Sequence, residues 1–282
     1  MVRARDEITR SQSDSPTGEA LGRVKSANSL RGRGEGEGPP LSKMAACDVL
    51  ALGAHPDDVE LGCGGTLAFL ARRHRVGILD LTAGELATRG TPERRAREAA
   101  DAAGALGVAW RACLSLPDGA LRGDDEAQAA AVVAALRATT PRVLLLPHAD
   151  DPHPDHAAAA ALARRAAFLA GVARWHAESG APHRPRLLLA YPGPRQLLRP
   201  DLVVDVTATH GAKRAALAAY ASQFSPAEGA ATHLSTAYYM AAVEGRDRAV
   251  GNTIACELGE GFMALGPLPG GELAWLLARS DA

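Results

Sequence analysis

Aromatic residues are scarce in this chain. Phe, Trp and Tyr together make up 4% of its 282 residues, so the core must be built mainly from Leu, Val and Ala. Cysteine is equally sparse. Cys47, Cys63, Cys113 and Cys256 are scattered, with no CxxC spacing. In a chain of this length, that excludes a disulfide framework and reads as reduced thiols in a cytoplasmic protein. Excess charge is missing too. Lys and Arg number 31 against 32 Asp and Glu, a net charge of -1, so no global basic field draws nucleic acid. No apolar run approaches the roughly 18 residues that a membrane span needs. The N-terminus shows no apolar h-region, so a secretory signal is not expected. What is present is ordinary for a soluble globular protein: 47% hydrophobic and 22% charged residues.

Residues 1–43 differ from the rest. They are rich in Arg, Ser, Gly and Glu and end in GRGEGEGPP at 32–40. Such a segment buries too little apolar surface to offset its ordering entropy, so disorder is expected. Met44 then leads directly into an apolar run, and we read it as the natural start. An N-terminal peptide from 1–43 in mass spectra of the native protein would contradict that reading. From residue 44 to 282 one domain is expected. Apolar runs at 47–53, 76–81, 143–147, 187–191 and 202–206 read as buried strands, with a weaker one at 111–116. Ala-rich helical patterns lie near 64–73, 92–106, 126–139, 155–170 and 208–222. This alternation predicts an α/β, Rossmann-like fold, a mostly parallel sheet with helices on both faces. The stretch from about 210 to 282 reads as less regular, with loops or an oligomer surface.

In such sheets the site lies beyond the carboxyl ends of the strands. Two His/Asp clusters sit there. AHPDD (54–58) follows the first strand, and DPHPDH (151–156) follows VLLLP. His55 and Asp58 are three apart, so one turn directs both at a common point, and His156 completes a His/Asp/His set. Three protein ligands plus water is the usual form of a catalytic zinc site. Asp57 remains free beside the metal, able to take a proton from the attacking water. His153, if protonated, donates to a developing oxyanion. Asp155 holds one histidine in its useful tautomer. The plainer alternative is that each Asp is a helix cap and each His-Pro a turn. It weakens because two clusters sit at two strand ends.

Gly62, Gly64 and Gly65 suggest a phosphate-cradling loop. The dinucleotide fingerprint, however, carries no anion beside the pyrophosphate. Asp57, Asp58 and Glu60 here would repel phosphate, so the glycines are read as permitting close helix packing.

AHPDDVELGCGGTLA (54–68) with HPDH (153–156) resembles the LmbE-like, or PIG-L, zinc deacetylases. DLTAGELATRGTPERRAREA (80–99), LSLPDGAL (114–121), YASQF (220–224), VEGRDRAVG (243–251) and GEGF (259–262) are similar to the branch acting in bacillithiol biosynthesis. That branch hydrolyses N-acetylglucosaminyl malate to glucosaminyl malate and acetate. The resemblance implies His55, Asp58 and His156 as Zn2+ ligands and Asp57 as general base. It makes His153 the imidazolium that steadies the tetrahedral intermediate or protonates the leaving amine. Arg95 would contact substrate, and Asp118 would accept sugar hydroxyls. Tyr239, or its neighbour Tyr238, would donate to the oxyanion. Arg184 would pair with the malate carboxylates, reaching a neighbouring subunit's site. The resemblance also implies a homo-oligomer, a hexamer in that branch. There is one departure. The branch usually has Arg immediately before HPDH, where this chain has Pro152.

The expected reaction is metal-assisted hydrolysis of an acetamide, with Asp57 or His153 returning a proton to the amine. The His/Asp/His set suits Fe2+ as well as Zn2+. The small-molecule partner is an acetylated amino-sugar conjugate, with no nucleic acid or membrane partner. The rival readings are a deacetylase for N-acetylglucosamine, its oligomers or another glycoconjugate, and a non-catalytic metal- or sugar-binding protein.

Overall fold

A computed structural model describes residues 44–278. The disorder expected for 1–43 lies outside the described residues. Four of the apolar runs and the weaker one form parallel strands: β1 (Val49–Gly53), β2 (Val76–Asp80), β3 (Trp110–Cys113), β4 (Val143–Pro147) and β5 (Leu187–Tyr191). Two more, β6 (Leu202–Asp205) and β7 (Gly259–Ala264), complete a seven-stranded sheet in the order β3-β2-β1-β4-β5-β7-β6. β7 runs antiparallel to both β5 and β6, so β6 shares the direction of the parallel set. The α/β architecture is the mostly parallel sheet expected, with β7 as its antiparallel member.

Side chains alternate along each strand, and here both faces are covered. Val49 and Ala51 of β1 enter one core with α1 (Asp58–Leu70), α2 (Pro92–Leu106) and α5 (His210–Ala219). Leu50 and Leu52 enter the other core with α3 (Glu126–Thr139) and α4 (Pro154–Leu169). Each such leucine contributes about 1.5–3 kcal/mol by leaving water. The scarcity of aromatics shows in the second core, whose fully buried members are mostly Leu, Val and Ala.

Three boundaries differ from the sequence reading. α1 begins at Asp58 rather than near 64, and its first turn buries Glu60 completely. That burial is supported from outside the helix: Arg111 of β3 pairs with Glu60 and Asp80, and Tyr220 Oη donates to Glu60 Oε1 at 3.1 Å. The segment 208–222 is two helices, α5 and α6 (Ala221–Phe224), broken at the buried Tyr220. The region after 210 is regular. It adds α7 (Ala237–Asn252), β7 and α8 (Gly270–Leu277).

Candidate active site

The order reverses between β1 and β4, which are neighbours whose chains continue in opposite directions across the sheet. That is where α/β sheets open a crevice. A cleft of about 590 Å³ lies there, lined by the segments that follow β1, β2, β3, β4 and β5. Of the sequence-predicted site residues, His55, Asp57, Asp58, Arg95, Asp118, His153, His156 and Tyr239 all line it. Asp155 lies just behind the wall, 2% exposed. Arg184 does not reach it. Its guanidinium stacks on Phe168 and donates to the Phe168 carbonyl at 3.1 Å. Phe168 sits at the C-terminal end of α4, twelve residues from His156 near the other end, about 18 Å along a helix.

Asp58 ties the two clusters together. Its Oδ2 is 3.3 Å from His55 Nδ1, and its Oδ1 is 3.1 Å from His156 Nε2. The far nitrogen of each ring is also held. His55 Nε2 lies 3.1 Å from Asp118 Oδ1 and 3.3 Å from Asp155 Oδ2. His156 Nδ1 lies 3.2 Å from Asp151 Oδ1. These outer carboxylates take a ring N–H and leave the other nitrogen facing Asp58, the arrangement found behind metal-bound histidines. The donor set fits a divalent cation held by His55, Asp58 and His156. The groups whose ligand atoms all lie within 4.8 Å of one another are His55, His153 and His156, and His55, Asp118 and Asp155; Asp58 instead meets His55 and His156 through different oxygens. Asp155 is otherwise committed: Gly119 N–H and Leu121 N–H donate to it at 2.7 and 3.3 Å. It reads as a partner of His55.

Electrostatics follow from this packing. Burial works against charge on Asp58, but the flanking cations of His156 and His55 outweigh it and hold the carboxyl well below the usual range. Burial likewise opposes a proton on His55 and His156. The Asp58 carboxylate wins in both cases and lifts them to about 9 and about 11, with Asp151 helping at His156. A dication at this point replaces the protons that those rings otherwise hold.

Asp57 is different. It stands at the N-cap of α1 with φ 104°, a region that residues other than glycine rarely adopt, and its side chain makes no cap bond. Instead, Arg95 Nη2 donates to Asp57 Oδ2 at 2.7 Å and to the Pro56 carbonyl at 2.6 Å. Arg95 therefore grips the aspartate from the wall of the cleft. Burial pushes the Asp57 carboxyl up to about 7; Arg95 opposes this, and Asp58 and Glu60 add to it. His153 caps α4 conventionally: Asp155 N–H donates to its Nδ1 at 3.2 Å. That bond fixes the ring proton on Nε2. Burial and the neighbouring rings of His156 and His55 push its pKa down. Both effects work against the imidazolium form expected for it.

The tyrosines separate cleanly. Tyr238 is 58% exposed and its hydroxyl is 2.6 Å from His233 Nδ1. Tyr239 is 3% exposed, lines the cleft, and its hydroxyl is buried without a hydrogen-bond partner among the described residues.

The family whose sequence model is described as GlcNAc-PI de-N-acetylase, PIG-L, matches residues 50–167, a span holding both His/Asp clusters. A solved structure, the conserved protein TT1542 of Thermus thermophilus, is 38% identical, covers 79% of this chain and 96% of its own, and superposes with a TM-score of 0.71. The chain belongs to the PIG-L, or LmbE-like, deacetylase family. Two more distant structures share the PIG-L fold. The N,N'-diacetylchitobiose deacetylase of Pyrococcus horikoshii is 21% identical over 83% of this chain and 88% of its own, with a TM-score of 0.68. The 4-carboxy-2-hydroxymuconate hydratase GalB of Pseudomonas putida KT2440 is 22% identical over 80% and 98%, with a TM-score of 0.65. The uncharacterized deacetylase YaiS of Escherichia coli K12 is 47% identical over 47 residues, which is 16% of this chain and only a quarter of that protein.

Three cleft residues of this PIG-L chain carry no role in the sequence reading. Asp151 opens the quoted DPHPDH segment, yet its contact with His156 depends on the helix start. Arg195 sits in the β5–β6 loop, exposed, lining the cleft, and without an ion-pair partner among the described residues. His233 lines the cleft beside both tyrosines. For the last two no motif or spacing gave a signal.

Proposed function

We propose that this protein is a zinc-dependent N-deacetylase acting on an N-acetylglucosaminyl substrate, with N-acetylglucosaminyl L-malate as that substrate. The observation that carries the chemistry is Asp57: a buried carboxylate beside the His/Asp/His set, gripped by Arg95, with its pKa lifted to about 7. A base works best when its pKa lies near the working pH. Bound by His55, Asp58 and His156, Zn2+ would polarise the acetyl carbonyl and acidify the attacking water. Asp57 takes that water's proton. His153 donates from Nε2, and Tyr239 from its unpartnered hydroxyl, to the oxyanion that develops. Asp57, poised near neutrality, then hands its proton to the departing amine. Arg95 keeps the Asp57 carboxylate aimed through both transfers.

The malate assignment is supported by Arg195. The arginines Arg95 and Arg89 of the cleft are engaged, the first with Asp57 and the second with the carbonyls of Gln223 and Ser225. Arg195, in the β5–β6 loop, lines the cleft without an ion-pair partner among the described residues, so its guanidinium can form paired bonds with a carboxylate. A second reading, a neutral acetylated amino sugar as substrate, draws on Pro152 itself, which leaves the position before His153 without a cation. Amine release separates the readings, measured from the malate conjugate and from N-acetylglucosamine, with zinc-loaded protein and with Asp57→Ala. Faster turnover of the conjugate, abolished in Asp57→Ala, is expected. Equal rates on both would move the assignment to the neutral sugar, and cleavage of neither would overturn the substrate assignment and move it to other acetylated sugars.

A further inference from the structure

The helix that carries Asp58 is broken. Cys63 lies at φ -148° and ψ 22°, outside helical values, in the middle of α1. In an uninterrupted helix the Leu61 carbonyl accepts from the Gly65 N–H. Here the Leu61 carbonyl receives Arg246 Nη2 at 2.5 Å, and Gly65 N–H donates to Glu260 Oε1 at 3.0 Å. Thr66 N–H takes the other oxygen of Glu260 at 2.7 Å. Between these ends runs a chain of buried charges. Arg246 pairs with Asp247 at 3.0 Å, Asp247 with Lys213 at 2.7 Å, and Lys213 with Glu260 at 2.6 Å. All four residues are 5% exposed or less. A plain helical bond would be cheaper than four desolvated charges, so such a chain speaks for a fixed conformation more than for stability.

Arg246 reaches one place more. Its Nη1 donates to the Gly193 carbonyl at 3.3 Å, in the loop after β5. Gly193 lies against Asp151: a Cβ there would sit 1.8 Å from Asp151 Oδ2. Asp151 in turn holds His156 Nδ1 at 3.2 Å. One guanidinium therefore touches the turn of α1 that bears Asp58 and, through Gly193 and Asp151, the start of α4 that bears His156.

We propose that Arg246 is a positioning residue that sets the spacing between the His55/Asp58 and His156 halves of the candidate metal site. It does so by holding the first turn of α1, just before the break at Cys63, against the β5–β6 loop. This rests on the reading that those three residues bind the metal. Lysine in its place keeps the charge but offers one head, which cannot serve Leu61, Gly193 and Asp247 with the same geometry.

The test is Zn2+ affinity of the full chain by competition with a chromophoric chelator, for wild type, Arg246→Lys and Arg137→Lys. Arg137 is an equally buried arginine that binds the Ala170, Val172, Trp175 and His176 carbonyls far from the cleft. Thermal unfolding of the metal-free proteins calibrates general damage. Arg246→Lys is expected to weaken Zn2+ binding by about 10–100-fold, the usual cost of losing an outer support, and to lower kcat more than it raises KM. Arg137→Lys should lose stability and keep its affinity. Wild-type affinity in Arg246→Lys, or an equal loss in both variants, overturns the proposal. If wild type takes up no Zn2+, the metal reading itself falls. Histidine ring NMR of the metal-free proteins then decides: the His55 and His156 resonances should move in Arg246→Lys and stay in Arg137→Lys, and unmoved resonances in the former refute the spacing role.

Discussion

β1 and β4 lie side by side, and each leads into the same three letters. His55-Pro56-Asp57-Asp58 follows one, and His153-Pro154-Asp155-His156 follows the other. The tetrads match at their first three positions, yet the structure places them in different frames. In the first, the helix starts after the third residue. Asp57 becomes the N-cap, at φ 104°, with its carboxylate on Arg95. In the second, the helix starts after the first residue. His153 becomes the cap, Pro154 takes the first helical position, and Asp155 is drawn inside to accept two backbone N–H groups. A two-residue shift in helix start thus leaves one aspartate available for proton transfer and turns the other into a brace for His55. The fourth positions, Asp58 and His156, meet at 3.1 Å. The motif supplies the groups, and the helix start assigns them.

The strongest way to break this comparison is at the third position. Asp57→Asn should lower kcat by about 1,000-fold, within the span ascribed to a positioned base, and keep Zn2+. Asp155→Asn should instead weaken Zn2+ binding by about 10–100-fold, with far less effect on kcat once the metal is saturating. Steady-state kinetics beside chelator competition reads both, and two variants that behave alike would end the distinction.

The fourth positions are tested through the protons that Asp58 holds on its two neighbours. His55 and His156 lie at about 9 and about 11 without metal, both above the ordinary histidine value. At neutral pH an incoming dication therefore displaces two protons. Zn2+ affinity should climb with pH, approaching a hundredfold per unit through neutrality. The metal-free fold has the opposite slope. These raised values stabilise it fully below about 6.5; the His55 share is lost as pH rises through about 9 and the His156 share as it rises through about 11. Titration of Zn2+ affinity and of urea midpoints from pH 6 to 9 should show the two opposed trends, and a flat affinity would remove the two-proton account.

The smallest effect isolates the backbone. At residue 57, Gly should be more stable than Ala by about 1 kcal/mol, because only Gly adopts positive φ freely. At residue 155, inside a helix, Ala should be more stable than Gly by about 1 kcal/mol. Urea unfolding of the four metal-free variants checks the sign reversal, and equal signs would mean that the two frames are not distinct.

Much of this was legible in the chain. Strands and clusters announced themselves because apolar runs and His/Asp groups are local signals. The start of α1 was not legible, since Asp58 and Glu60 look like a solvated turn until Arg111 and Tyr220 are seen to bury them. α7 carries Arg246 and Asp247 on its inner side, so its apolar periodicity is blurred by the very charges that pack inward. β7 is hidden likewise, by Gly259, Glu260 and Gly261. VEGRD and GEGF stood out as motifs, but their meaning lies in pairings with residues up to 195 positions away. Arg184 came from the family resemblance alone, which gives no direction to a side chain in a Pro-rich loop, and the structure puts it on Phe168.

Lys213 has one more consequence. It is the only lysine between residues 44 and 278, and none of it is exposed. The described surface therefore presents its permanent positive charge through guanidinium groups alone. Lysine-directed cross-linkers, biotin esters and acetylating agents find no lysine on it while the fold is closed. Any label that appears at Lys213 records a molecule in which α5, α7 and β7 have come apart, which makes this side chain a built-in reporter of opening that needs no engineered probe.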